Sequence, residues 1–414
     1  MKNSLLPQIL TLIAAFSSVG SVISLSAQES EKSLSLEKSK NVESSENRSG
    51  SEAEAVKTGE KIQPGDQPQN QAGDSNLQPS RTKVSQATLQ LKSQLESNLK
   101  YYFAQKENSE YRSPWGVMHA MVAFGPYAEM YGKGRIVKDV DWLCNNEKCR
   151  GMQLLTTRRG ELETNNGPGR QGHDGQFLAI LAQSQVPKTR KLTVGRRSFS
   201  IKDLINYEMQ TCKPNTELTF KLIGLSHYLD SDREWKSSDG QRWSLERLLS
   251  EELKQPINGA ACGGTHRLMG FSYSLLMRKL QEKTLDGHWK KADDFLADFR
   301  NHAFKLQNRD GSFSTEWFKR RSFEKDPQRR VQTTGHILEW LLFSATQEQL
   351  QDRRLINSVK YLSNIMWSQR KAKWEIGPKG HALRALRLFY ERVLADAPQL
   401  AELMSWDDSS ASIR

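Results

Sequence analysis

Apolar positions recur at three- and four-residue steps along nearly the whole chain from about Gln86 onward, the period of helices packed on one face. Alternation with a period of two shows only near Met152 to Glu163, where a small hairpin of Met152–Leu155 with Glu161–Glu163 is expected. One helix start repeats. Trp115-Gly116-Val117-Met118-His119, Gly172-His173-Asp174, Gly263-Gly264-Thr265-His266, Thr333-Thr334-Gly335-His336 and Gly380-His381 each lead into an apolar stretch. A sixth stretch, Leu218 to Leu229, begins without a histidine. With Thr219 in its place, the anchors are 54, 46, 47, 70 and 45 residues apart, a period near fifty.

Between the anchors lie more amphipathic segments: Gln86–Lys106, Val137–Cys144, Ile201–Gln210, Leu245–Lys254, Trp289–Leu306 and Leu355–Trp367. Six alternations of an all-round apolar helix with a one-stripe helix fit an all-α (α/α)6 toroid, an inner ring of helices covered by an outer one. An open helical solenoid would use the same pairs. The toroid domain is expected over 86–401.

Ahead of it, Lys2 and the apolar run Leu5 to Ile23 have the layout of a signal peptide over 1–27. Residues 28–85 are rich in Ser, Glu and Gln, and up to Ser80 they hold no aromatic residue. They cannot bury enough apolar surface to order themselves, so a disordered segment is expected, with a disordered tail at 402–414. No apolar run after position 30 is long enough to span a bilayer, which excludes multi-spanning membrane proteins. Export to the periplasm, the cell exterior or the envelope follows, with membrane contact only if the signal segment stays as an anchor. The net charge is +12, while ten acidic and six basic residues between Gln28 and Ser80 make that stretch −4. The remainder therefore carries about +15, which favours anionic partners. Nucleic acid is not expected, because no reading motif is present.

Gln307-Asn308-Arg309-Asp310-Gly311-Ser312-Phe313 resembles the Q-x-x-D-G-S-[WF] repeat of the terpenoid cyclases, and with the helical pairs it makes Gln86 to Ala401 resemble the α/α-toroid superfamily. That superfamily also holds the protein prenyltransferase β subunits and several carbohydrate-active barrels. The resemblance implies a structural role for the motif: Gln and Asp tie a helix end to the next turn, Gly permits the turn, and the ring packs between hairpins. It does not carry the activities. The D-x-D-D acid of the cyclases is missing from Asp139-Val140-Asp141-Trp142 and from Lys291-Ala292-Asp293-Asp294. The prenyltransferases bind zinc through Asp, Cys and His. Cys262, His266 and His336 are superficially similar, but Asn258 to Ala261 supply no Asp. No resident cofactor is expected, and zinc is the one candidate.

Parallel inner helices would bring His119, His173, His266, His336 and His381 to one rim, where helix N-termini hold imidazoles neutral and attract anions. The expected catalytic set is His266, His336, Arg267, Tyr273, His173, Asp174 and Glu339. Substrate contacts fall to His119, His381, Arg384, Trp340 and Phe177, with Arg320 and Arg321 on a basic lid between Phe313 and Arg330. Cys212 with Cys262, and Cys144 with Cys149, are expected to form disulfides in an oxidising compartment. Whether the protein is an enzyme stays open. The leading reading is a lyase, hydrolase or epimerase acting on an anionic glycan, with another small molecule as the other possible ligand. The alternatives are terpenoid or prenyl chemistry and a non-catalytic binding toroid.

Overall fold

The computed structural model describes residues 86–394, all within one compact unit. The expected signal peptide, linker and C-terminal tail lie outside the described residues, as do 395–401. Among the described residues, twelve α-helices form six consecutive pairs. The odd-numbered helices are α1 (Gln86–Ala104), α3 (Asp139–Cys144), α5 (Ile201–Gln210), α7 (Leu245–Leu253), α9 (Gly287–Leu306) and α11 (Arg353–Ser368). The even-numbered ones are α2 (Pro114–Phe124), α4 (Gln176–Gln183), α6 (Thr219–Tyr228), α8 (Thr265–Leu280), α10 (Pro327–Ser344) and α12 (Ile376–Phe389).

Burial separates the two sets. Nearly every residue of α2, α4, α6 and α12 is buried, whereas α9 and α11 bury one stripe each. Apolar area removed from water is the dominant favourable term in folding, and the all-round apolar helices contribute it on every side. Each even helix packs on the next, α2 on α4 through to α10 on α12, and α12 packs back on α2. The last contact needs close approach. A β-carbon on Gly380 would lie 2.5 Å from the His119 carbonyl oxygen, and one on Gly335 would lie 3.0 Å from the Ala382 backbone.

Local capping signals set several helix starts. Ser113 caps α2 through Gly116 N, Asp326 and Asp352 cap α10 and α11, and Ser200 with Asp203 forms a capping box on α5. In the Gln307–Phe313 motif, Gln307 Nε2 donates to the Arg354 carbonyl at 3.0 Å and to Ser358 Oγ at 2.7 Å, tying α9 to α11. Asp310 accepts from Ser312 N and Oγ. Gly311 has φ +93°, and a β-carbon there would meet the Asn357 carbonyl at 2.5 Å. Phe313 is buried. The motif therefore works as a structural clasp.

The strand content is larger than expected. The anticipated hairpin forms as β4 (Leu155–Arg158) with β5 (Glu161–Thr164), shifted from Met152. Two more hairpins and a three-stranded sheet accompany it. β1 (Glu107–Asn108), β2 (Glu129–Gly132) and β3 (Arg135–Lys138) make the sheet, and the hairpins are β6 (Lys191–Val194) with β7 (Arg197–Ser200) and β8 (Glu234–Lys236) with β9 (Arg242–Ser244). Strands of two to four residues are too short to establish an alternation. What specifies the tightest of these turns is a pair of left-handed residues, such as Lys133-Gly134 and Arg159-Gly160. Because Arg135–Lys138 is a strand, α3 begins at Asp139 and not at Val137.

The four cysteines form no disulfide, which corrects both expected bridges. Cys144, Cys149 and Cys212 are buried, and the Cys212 thiol donates to the Glu208 carbonyl at 3.3 Å. Burial pushes these three thiols up to about 12. Cys262 sits in a left-handed turn just before α8, within 4.8 Å of ligating atoms of His266 and His336, two residues that line a cavity between the even helices. Among the described residues, no helix is long and apolar enough to cross a membrane.

Candidate functional site

Five imidazoles gather at that cavity, from α2, α8, α10, α12 and the residue three ahead of α4. Ring centroids are 3.8 Å apart for His336 and His381, 5.3 Å for His266 and His381, and 5.6 Å for both His119–His381 and His266–His336. His173 reaches His266 at 5.7 Å and stacks on Phe220 at 4.7 Å. The cavity has about 460 Å³ of atom-free space, including its open mouth, and Gln176, Thr265, Glu339 and Met269 also line it. Its floor is aliphatic, made by Val122, Ile180 and Ile223.

Four of the five rings are oriented by an oxygen acceptor on Nδ1. His119 Nδ1 donates to the Trp115 carbonyl and His336 Nδ1 to the Gln332 carbonyl, both at 2.7 Å. A carbonyl can only accept, so both rings are Nδ1–H tautomers with the lone pair on Nε2. His173 Nδ1 lies 2.6 Å from Glu217 Oε2, and His381 Nδ1 lies 2.5 Å from Glu339 Oε2. Arg384 Nε sits 3.0 Å from the other Glu339 oxygen, an ion pair that favours the carboxylate, so the imidazole is the donor. His266 differs: both ring nitrogens are shielded from solvent and have no hydrogen-bond partner.

His119, His266, His336 and His381 are held neutral chiefly by burial. It pushes His119 and His381 down to about 3, with His381 adding to the shift of His119 and Arg384 to that of His381. Burial followed by neighbouring imidazoles holds His266 and His336 well below the usual range. Burial pushes the Glu339 carboxyl up, with Arg384 the largest opposing influence. This revises the expected cause. The capped start of α10 at Asp326-Pro327 puts His336 more than two turns inside the helix, and His119 and His381 also sit inside theirs. Helix-end charge fades within a turn, so it does not reach those three rings.

Several expected site residues lie elsewhere. Arg267 pairs with Glu252 at 2.9 Å, facing α7. The Tyr273 hydroxyl lies 3.0 Å from His227 Nδ1, and the ring stacks on Phe343 at 5.4 Å. Asp174 is exposed and held by Asn166, while Phe177 is core. Trp340 is buried and donates to Ser272 Oγ. Arg320 and Arg321 are exposed and do not line the cavity; Arg321 donates to the Lys305 carbonyl on α9. From the anticipated basic lid, Trp317 reaches the site, with its ring edge-on to His336 at 5.6 Å and the Arg329 guanidinium 5.3 Å from the Trp317 ring centroid.

Sequence reasoning missed Glu217, Phe220, Gln176 and Thr265. Gln176 follows His173 by three residues and Phe220 is the second residue of the helix that begins without a histidine, so both had a positional signal. Glu217 had none, because it lies in the loop before α6. Cys262 belongs to the site as a thiol: its ligating atom and those of His266 and His336 all lie within 4.8 Å of one another. These donors suit a metal ion, although the Asp-Cys-His set implied by the resemblance is not reproduced. Compared with known proteins, the chain matches no family model, no curated protein and no solved structure at a significant level.

Proposed function

We propose that the chain is an (α/α)6 toroid and an exported enzyme that abstracts a proton from an anionic glycan, by β-elimination or epimerisation, in the histidine cavity. The toroid reading is supported by the circuit of even helices, in which α12 packs on α2, and by the single apolar stripe of odd helices such as α11. Export rests on the N-terminal sequence pattern alone.

The single observation carrying the reaction class is His381, oriented by Glu339 through Nδ1 with Nε2 left as the lone-pair nitrogen beside an open cavity. A base fixed by a third group is the arrangement general-base catalysis requires. Hydrolysis by paired carboxylates fits less well, since among the described residues Glu339 is the one carboxylate lining the cavity and Arg384 already engages it. Gln176 and Thr265 are neutral polar groups able to hold sugar hydroxyls. Phe220, which lines the cavity, offers a ring face for a sugar. An acidic polymer suits the basic surplus outside the linker.

The test is incubation of the mature protein with a panel of uronate polysaccharides. Elimination gives unsaturated ends that absorb in the ultraviolet, and epimerisation gives solvent deuterium incorporation without cleavage. The absence of both across the panel would overturn the enzymatic reading in favour of a binding toroid.

A further inference from the structure

Cys262, His266 and His336 converge from the turn before α8, its second residue and the middle of α10, with their ligating atoms within 4.8 Å of one another. We propose that these three side chains hold one soft or borderline divalent transition-metal ion, zinc being the best match, at the wall of the histidine cavity.

Four observations carry the site. The donors are a thiol and two imidazoles, the chemistry that selects zinc over hard cations such as magnesium or calcium. His266 has both nitrogens shielded and unpartnered, an arrangement that buried polar groups rarely keep unless something else satisfies them. His336 donates Nδ1–H to the Gln332 carbonyl, which fixes the tautomer that presents Nε2. A ligating histidine is ordinarily oriented in this way.

The backbone at Cys262 is the fourth. It has φ +49° in a run with Gly263 at +64° and Gly264 at +79°, a left-handed turn that a cysteine adopts only at a cost. Gly263 is required there, because a β-carbon would lie 2.3 Å from the Trp317 ring. The thiol of this turn lies within 4.8 Å of a ring nitrogen of His266.

Three protein donors leave a four-coordinate ion one further position, for solvent or a molecule from the cavity that His266 and His336 line. The donor set carries one negative charge at most, so an anion is well suited to that position. Neither point depends on the glycan reading, since metal binding is measured without substrate.

The experiment is metal analysis of the full chain purified without chelator, then removal of metal and reloading with Co²⁺. We expect one ion per chain, a thiolate-to-cobalt charge-transfer band, and protection of Cys262 from alkylation that is lost when chelator is added. Cys262→Ser should abolish the band and bring the stoichiometry close to zero, whereas Cys212→Ser should retain both. Far-ultraviolet circular dichroism separates loss of metal from loss of fold. Wild-type protein that takes up no ion, or that binds cobalt without the thiolate band, overturns the proposal. So does a folded Cys262→Ser protein with undiminished stoichiometry.

Discussion

Gly380 of α12 and His119 of α2 approach so closely that a β-carbon on the glycine would lie 2.5 Å from the histidine carbonyl oxygen. This seam joins the first and last even-numbered helices. Gly380→Ala should therefore lower stability by about 1–3 kcal/mol, as overpacking does in tight cores. Gly116→Ala is the control. Its β-carbon would meet nothing closer than 3.4 Å, so the gain in helix propensity should leave it neutral or slightly stabilised. Denaturant unfolding of both variants checks this, and equal midpoints would remove the seam from the account.

Lys221 on α6 and Glu208 on α5 form an ion pair with side chains 2% and 1% exposed, and Lys221 also donates to Thr211 Oγ1 at 2.7 Å. Removing one partner strands a charge. Glu208→Leu or Lys221→Met alone should cost about 3–5 kcal/mol, while the double change Lys221→Met with Glu208→Leu should recover most of the loss. A double-mutant cycle by chemical unfolding measures the coupling. Additive losses would mean that the pair does not act as a unit.

Asp139, the first residue of α3, is fully buried and neither carboxyl oxygen has a hydrogen-bond partner. Burial raises its carboxyl well above the usual range, and Glu107 and Glu129 push it the same way. The folded protein therefore holds this proton more tightly than the unfolded chain. Stability is undiminished below the unfolded value near 3.8, falls as pH rises towards the folded value, and stays reduced above it. Asp139→Asn should raise the melting temperature at pH 7 and flatten this part of the pH profile. A melting curve series from acid to neutral pH decides it, and a variant less stable than wild type at pH 7 counts against it.

If the cavity performs proton abstraction, His381→Ala should lower kcat by about 10²- to 10⁴-fold, the usual contribution of a positioned base. Glu339→Gln keeps the shape but weakens the hold on Nδ1, so kcat should fall with KM changed little. Steady-state kinetics on whichever polysaccharide is turned over would show this. Loss confined to KM would assign both residues to binding.

All four cysteines should react with an alkylating agent in denaturant without prior reduction, giving four adducts by mass spectrometry. Any missing pair of adducts would restore one of the bridges that their spacing and an oxidising compartment suggest.

The alternation of all-round apolar with one-stripe segments was enough to locate the helical pairs, because burial on one face or every face leaves its period in the residues themselves. The histidines were legible for the same reason: they recur in one register near the starts of apolar stretches. Direction along an inward face was less informative. Tyr273, Trp340 and Phe177 lie at suitable spacing, yet packing turns each into the core, and a linear pattern cannot distinguish a cavity wall from a filled interior. Partners distant in the chain were settled only by folding. Nothing in the local sequence marks Glu217 for His173, Glu252 for Arg267, or Glu339 for His381, since those pairings depend on which helices become neighbours. Cys262 shows the division most plainly: its spacing suggested a disulfide with Cys212, whereas a left-handed turn and the fit of Gly263 under Trp317 carry its sulfur to two imidazoles.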